Sequence, residues 1–209
     1  MLEIYPEQTR TSGMANFTAR LNANHTLFGE LLYSESKLVS RIAAPPVDIP
    51  IATTSPFYGV PASLGYQDNV TVRWRMSDAA NRTTQDVGKA THFAFGSKGN
   101  MAGWDYNAAL THSQNKWTET YVAGWLKSNE LLAALSAGTL NPFVEPGKQS
   151  AAGQATIAGA VYNGVYKSAD TGLTMLDLKA SRELFNAPGG AAMVAVGADY
   201  RRESNSYSP

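Results

Sequence analysis

The 209-residue chain contains no cysteine, so neither a disulfide framework nor a thiolate metal site is open to it. Its 17 basic and 17 acidic residues cancel, which removes the electrostatic case for a nucleic-acid partner. No run of 18 apolar residues occurs, and a helical membrane span is thereby excluded. Also missing are G-x-x-x-x-G-K-[ST], H-E-x-x-H and G-x-S-x-G, the usual phosphate, zinc and nucleophile signatures. His25, His92 and His112 fall on a turn and two separate strands, so no metal site and no cofactor are expected. No Ser/His/acid arrangement is expected to converge on one rim either, and the chain is not read as an enzyme.

What is present is alternation. From Trp104 to Gln114, the residues Trp104, Tyr106, Ala108, Leu110 and His112 fall on one face, while Asp105, Asn107, Ala109, Thr111 and Ser113 fall on the other. Ala15, Phe17, Ala19 and Leu21 alternate in the same way with Asn16, Thr18, Arg20 and Asn22. The run from Leu27 is blurred, because Phe28 and Leu32 share the face of Glu30. A strand with period 2 can turn one face to lipid and the other to water, and only a closed sheet satisfies its backbone in a bilayer.

The links between these runs are alternately short and long. Asn22-Ala23-Asn24-His25, Gly99 to Gly103 and Asn186 to Gly190 read as tight turns. Ala43 to Asn69 holds Pro45, Pro46, Pro50, Pro56 and Pro61, which cannot sit in a central strand, so a long loop is expected there. Val70 to Met76 alternates as well, but a crossing there would put the turn at Gly99 on the wrong side, so it is placed within that excursion. Six crossings remain, at 12 to 22, 27 to 40, 88 to 98, 104 to 121, 168 to 185 and 191 to 204. In the second excursion, Val122 to Lys167, Ser128 is expected to cap a short helix that buries Leu131, Leu132 and Leu135 and stops at Gly138. The fold class is therefore all-β: an antiparallel up-and-down meander of about six long strands, part of a transmembrane β-barrel, with a short helix in one extracellular loop.

Charges in the polar phase, among them Arg20, Glu30, Lys98, Asp177, Lys179, Asp199 and Arg201, are expected to pair across neighbouring strands. Recognition is expected in the long excursions, where loops of this length are commonly functional. Phe57, Tyr58, Tyr66, Arg82, Trp125, Phe143 and Tyr162 lie there. Tyr58, Tyr66, Arg82 and Trp125 are the ligand-contact candidates, since stacking and charge-assisted hydrogen bonds suit chelates and sugars alike.

Five segments carry a resemblance: SGMANFTARLNANHTLFGELLY (Ser12 to Tyr33), VTVRWRM (Val70 to Met76), GNMAGWDYNAALTHSQNK (Gly99 to Lys116), LLAALSAGTLNPF (Leu131 to Phe143) and APGGAAMVAVGADYRRE (Ala187 to Glu203). In this order they resemble the barrel of TonB-dependent outer-membrane receptors. The resemblance implies a bacterial outer-membrane location and a plugged barrel of about 22 strands. It also implies outer-membrane lipid as surroundings, the plug domain and TonB as partners in the parent receptor, and uptake of a small extracellular ligand, a siderophore, another metal chelate or a carbohydrate. Residues 1–209 are expected to be a partial barrel, since no basic and apolar leader, plug or further strands are found in them. The competing reading is a soluble β-sandwich ligand-binding module, which would also alternate but would cover its apolar face with a second sheet.

Overall fold

A computed structural model describes residues 3–209; Met1 and Leu2, at which a leader would begin, lie outside the described residues. Strands β1 (Glu7–Arg20), β2 (His25–Ile42), β5 (Arg82–Met101), β6 (Trp104–Ala123), β7 (Gly164–Ala187) and β8 (Gly190–Ser208) form a six-stranded sheet in the order β1-β2-β5-β6-β7-β8. This is the expected meander, with β3 (Pro46–Ile51) and β4 (Val70–Arg75) set aside as a separate two-stranded sheet. The six strands are 14 to 24 residues long and outrun the expected crossings at nearly every end. The described residues divide into two compact units, unit 1 comprising residues 3–7, 38–85 and 119–166 and unit 2 the remainder.

Unit 2 is strand and turn alone. Its turns are as tight as their residues allow. Asn22 Oδ1 accepts hydrogen bonds from the backbone N–H of Asn24 and of His25, both at 2.9 Å, which closes the first turn locally. Between β5 and β6 only Ala102 (φ 55°) and Gly103 (φ 80°) intervene, and two positive φ values make this the type I′ turn that matches strand twist. Asn100 N–H donates to Asn24 O at 2.9 Å, and a side chain at Gly99 would collide with that carbonyl. The first two turns therefore meet at one end of the sheet, and Arg182, near the third, approaches Gly103 at the same end.

The two faces of unit 2 follow from register. Across β7 and β8, Leu176 lies opposite Tyr200, Leu178 opposite Ala198 and Ala180 opposite Val196, while Asp177, Lys179 and Ser181 face Asp199, Gly197 and Ala195 on the other side. The ladder shifts between Glu183 and Phe185, beyond these pairs. Tyr106 shares the apolar face: its hydroxyl hydrogen-bonds His25 Nδ1 at 2.9 Å and Ser97 Oγ at 2.8 Å, and Phe95, two residues from Ser97, meets Phe17 with ring centroids 6.3 Å apart. Farther from the turns this face becomes charged. Lys89 pairs with Glu35 at 3.5 Å and Lys116 with Asp170 at 3.3 Å, each reached from the apolar residues of its strand by two-residue steps. The polar-phase charges pair in both ways: Glu30 Oε1 lies 3.9 Å from His92 Nε2 across β2 and β5, and two other pairs run along a single strand. Lys179 pairs with Asp177 at 3.1 Å and Arg201 with Glu203 at 3.5 Å, both along one strand, and Asp177 has the like charge of Asp199 directly opposite.

Unit 1 corrects the reading of the excursions as loops. The proline-rich stretch contributes β3, which pairs antiparallel with β4 from Pro46↔Arg75 to Ile51↔Val70. Prolines survive there because a two-stranded ribbon has only edges. Helices α1 (Ser128–Ser136) and α2 (Ala151–Ala160) complete the unit. Ile49, Ile51, Met76, Leu131, Leu135, Leu140 and Ile157 form its buried cluster, with Val72, Trp74 and Leu126 packed against it. Ser128 is the first helical residue and not the cap, which is Lys127, and Leu132 is exposed while Leu131 and Leu135 are buried. Gly138 (φ 72°) does stop the helix: its N–H donates to Leu135 O and that of Thr139 to Ala134 O, a Schellman closure. The second helix was not expected. Ser150 caps it, accepting from Gly153 N–H at 3.0 Å, and Gly153, Ile157 and Ala160 form its buried face.

Ala102 sits at a positive φ that costs a non-glycine residue about 1 kcal/mol. Ala102→Asn, which supplies the Asn-Gly pair favoured in type I′ turns, is expected to raise unfolding stability by about 0.5–1 kcal/mol, read from the denaturant midpoint of the refolded chain.

Candidate ligand-binding site

The aromatic residues of unit 1 are drawn together by one glycine. Gly124 ends β6 at φ 71°, and a Cβ there would lie 2.5 Å from Asn81 O and 2.7 Å from Arg82 N. Only glycine permits both the backbone conformation and the approach. Trp125, the next residue, is thereby set beside Arg82, the first residue of β5, whose guanidinium carbon lies 5.4 Å from the indole centroid. Arg82 Nε also donates to Ala43 O at 3.0 Å, which holds the cation over the ring.

Tyr121 extends the stack. Its ring lies 4.0 Å from Trp125 at 7° and 4.3 Å from Tyr166 at 14°, with Tyr162 edge-on at 6.2 Å. The second excursion is pinned at this point, since Tyr162 N–H donates to Trp125 O at 2.7 Å and Leu126 bridges Val161. Among the described residues Trp125 Nε1 is buried without a hydrogen-bond partner. The cluster thus offers a cation, an aromatic stack and a partly exposed Tyr166 ring, a combination suited to planar or ring-bearing ligands.

Tyr58 and Tyr66 form a second patch. The Tyr58 hydroxyl donates to Asp68 O at 2.9 Å, with Tyr66 O at 3.5 Å, while its ring packs on the unit 1 core. Shielding from water raises the Tyr58 phenol above its ordinary pKa, and Tyr66 and Asp68 push it the same way. Tyr66 follows Gly65 (φ 64°) and is 49% exposed, so of the two it is the ring free to meet a ligand. Of the four candidates, then, Arg82 meets Trp125 and Tyr58 adjoins Tyr66. Phe57 packs against the core, and Phe143 is exposed. Tyr121 was missed as a contributor because alternation places it in the crossing from 104 to 121, and Tyr166, though within the second excursion, because its contact with Tyr121 joins residues distant in sequence.

One arrangement on the sheet lies outside the sequence reading, which concerned convergence at a rim. Ser113 Oγ hydrogen-bonds His92 Nδ1 at 2.8 Å, and Glu30 Oε1 lies 3.9 Å from His92 Nε2, so a Ser/His/acid row does form across β6, β5 and β2. The carboxylate stands beyond hydrogen-bonding distance of the imidazole. The Ser113–His92 hydrogen bond ties β6 to β5. Among the described residues no group of three or more His, Asp or Glu side chains is placed to hold a metal ion.

No family model, curated protein or solved structure matches the chain.

Gly124→Ala is expected to unstack Trp125 from Arg82 and to cost about 2 kcal/mol or more, since the new methyl meets both strain and backbone. Near-UV circular dichroism reads the outcome: the signal of the Tyr121 and Trp125 pair should collapse, with the far-UV strand signal preserved.

Proposed function

We propose that the chain is a wall segment of a TonB-dependent outer-membrane receptor that takes up a siderophore, another metal chelate or a carbohydrate, and that it binds and passes its ligand without altering it. The observation that carries this reading is the apolar face of unit 2. Phe17, Leu31, Phe93, Leu110, Leu176 and Tyr200 are each more than two-fifths exposed, and unit 2 contains no second layer to cover them. A soluble protein rarely leaves contiguous apolar surface beyond a few hundred Å² open to water. A sandwich would oppose this face with a second sheet.

The ends of the face support the same reading. Near the turns it carries Trp104 and Tyr106, the aromatic residues expected at an interface, and far from them it closes in the Glu35–Lys89 and Lys116–Asp170 pairs. A bilayer crossing takes about 9–11 residues of strand. The remaining length of each strand then projects into water. No helix among the described residues is long and apolar enough to cross a membrane, which has no bearing on strands. Edge strands β1 and β8 present unpaired backbone, and in this reading further strands of the receptor cover them. The excursions join strand ends opposite the short turns, so in the receptor they face outward and meet the ligand.

The 209 residues contain no cysteine, so no native thiol of this segment competes with single spin labels. In the receptor that contains this segment, labels at Leu110→Cys and Val196→Cys should be relaxed by oxygen dissolved in lipid, and labels at Asn107→Cys and Ala195→Cys by a water-soluble nickel chelate. Chelate access to all four would replace the membrane reading with a soluble module. Arg82→Ala and Tyr66→Ala should each weaken binding of the receptor's cognate ligand about tenfold at unchanged outer-membrane level, whereas Asn24→Ala in a short turn should leave binding intact. Loss of binding from Asn24→Ala alone would invert the assigned sides.

A further inference from the structure

Unit 1 contains a cavity of about 190 Å³ lined by Ile49 to Ala52 at the end of β3 and by Leu135, Ser136 and Pro142 from the second excursion. Four consecutive residues line it, so the strand presents backbone as well as side chains. Which backbone groups face outward follows from register. Met76 N–H donates to Pro45 O at 3.0 Å, one step beyond the Pro46↔Arg75 pair. Hydrogen-bonded pairs alternate along an antiparallel ladder, so residues 47, 49 and 51 bond to β4, and residues 46, 48 and 50 turn their backbone to the free edge. Pro46 and Pro50 have no N–H to offer there. Next to the cavity this edge supplies the Pro50 carbonyl, an acceptor that cannot recruit another strand.

The remaining polar groups are the hydroxyls of Thr54, Ser55 and Ser136. Ser55 Oγ accepts from Phe57 N–H at 3.3 Å and keeps its own proton to donate. The segment is held in place by backbone bonds from Ser55 N–H to Ala52 O at 2.9 Å and from Tyr58 N–H to Ser55 O at 3.0 Å, and by Pro56 against Gly138. Apolar walls come from Ile49, Ile51, Leu135, Pro142 and the Phe57 ring. No lining side chain is charged. The cavity adjoins the carbonyl end of α1, whose partial negative charge disfavours anions. Drug-sized ligands take about 300–1,000 Å³, so this volume holds one ring.

From these features we infer that the cavity binds a neutral, polyhydroxylated ring, a pyranose unit, with its C–H face on Phe57 and its hydroxyls on Pro50 O, Thr54, Ser55 and Ser136. A catecholate or carboxylate would meet carbonyl oxygens and a helix C-terminus with no cation to balance it. The inference concerns unit 1 alone and stands apart from the uptake reading, since a ring site of this kind serves a soluble module equally.

The full chain, folded in a detergent without a sugar headgroup, is titrated with methyl α-glucopyranoside, its uronate counterpart and catechol, and binding is read by saturation-transfer NMR. The pyranoside should bind saturably with a millimolar Kd, and the uronate about tenfold more weakly. Thr54→Val keeps the side-chain shape and Ser136→Ala favours the helix, so neither threatens folding, and circular dichroism checks that helix content is kept. Each should weaken the pyranoside about threefold to tenfold, the share of one neutral hydrogen bond. Absence of saturable pyranoside binding up to about 100 mM would overturn the inference. So would equal binding by a Thr54→Val/Ser136→Ala double variant, or a preference for the uronate or catechol.

Discussion

Leu176 opposite Tyr200, Leu178 opposite Ala198 and Ala180 opposite Val196 lie on one side of a ladder whose next residues, Asp177, Lys179 and Ser181, all lie on the other. This two-residue period is the constraint on which the remainder of the structure depends. Once the backbone bonds of β7 and β8 set the register, no side chain is free to choose its face, and a slip of one residue would exchange the two faces entirely. The polar groups placed on the apolar face answer to the same rule. Tyr106 joins His25 and Ser97 in one network and His112 meets Thr174 at 2.9 Å, so each has a partner within the sheet and none depends on water.

Unit 1 shows the opposite logic. Its segments come from two excursions far apart in sequence, and neither could bury enough apolar surface alone. β3 and β4 supply Ile49, Ile51 and Val72 from the first, α1 and α2 supply Leu131, Leu135 and Ile157 from the second, and Met76 and Leu140 are fully buried between them. Polar clamps then fix the connecting backbone. Gln149 accepts from Asn141 N–H at 3.1 Å and donates to Asn141 O at 2.6 Å, satisfying both of its own buried groups by holding the turn between the helices. The excursions are therefore a folded body with a core, able to hold rings and cavities in defined positions.

The alternation of the long strands, the tight turns at Asn22, Ala102 and Pro188 and the stop at Gly138 were all legible in the residues, because each rests on contacts between near neighbours. The Schellman closure needs only Gly138 and the preceding turn of helix. β3 was not legible, since Pro46 and Pro50 argue against a strand until β4 is seen to pair on one side only. α2 was hidden for a related reason: Ala151 to Ala160 has weak apolar periodicity, and only the core shows that Gly153, Ile157 and Ala160 form its buried face.

The candidate site divides along the same line. That Tyr58, Tyr66, Arg82 and Trp125 belong to long excursions could be read from the spacing of prolines and strands. That Arg82 lies over Trp125, that Tyr121 and Tyr166 join the stack, and that Ser113, His92 and Glu30 form a row could not, because each contact joins residues distant in sequence. Local sequence by itself determined period, turn chemistry and the division into two-faced strands and excursions, for these are set by covalent geometry and nearest neighbours. Tertiary structure alone decided which residues from separate excursions meet, because Gly124 against Asn81 and the shared core of unit 1 exist only once distant segments have packed.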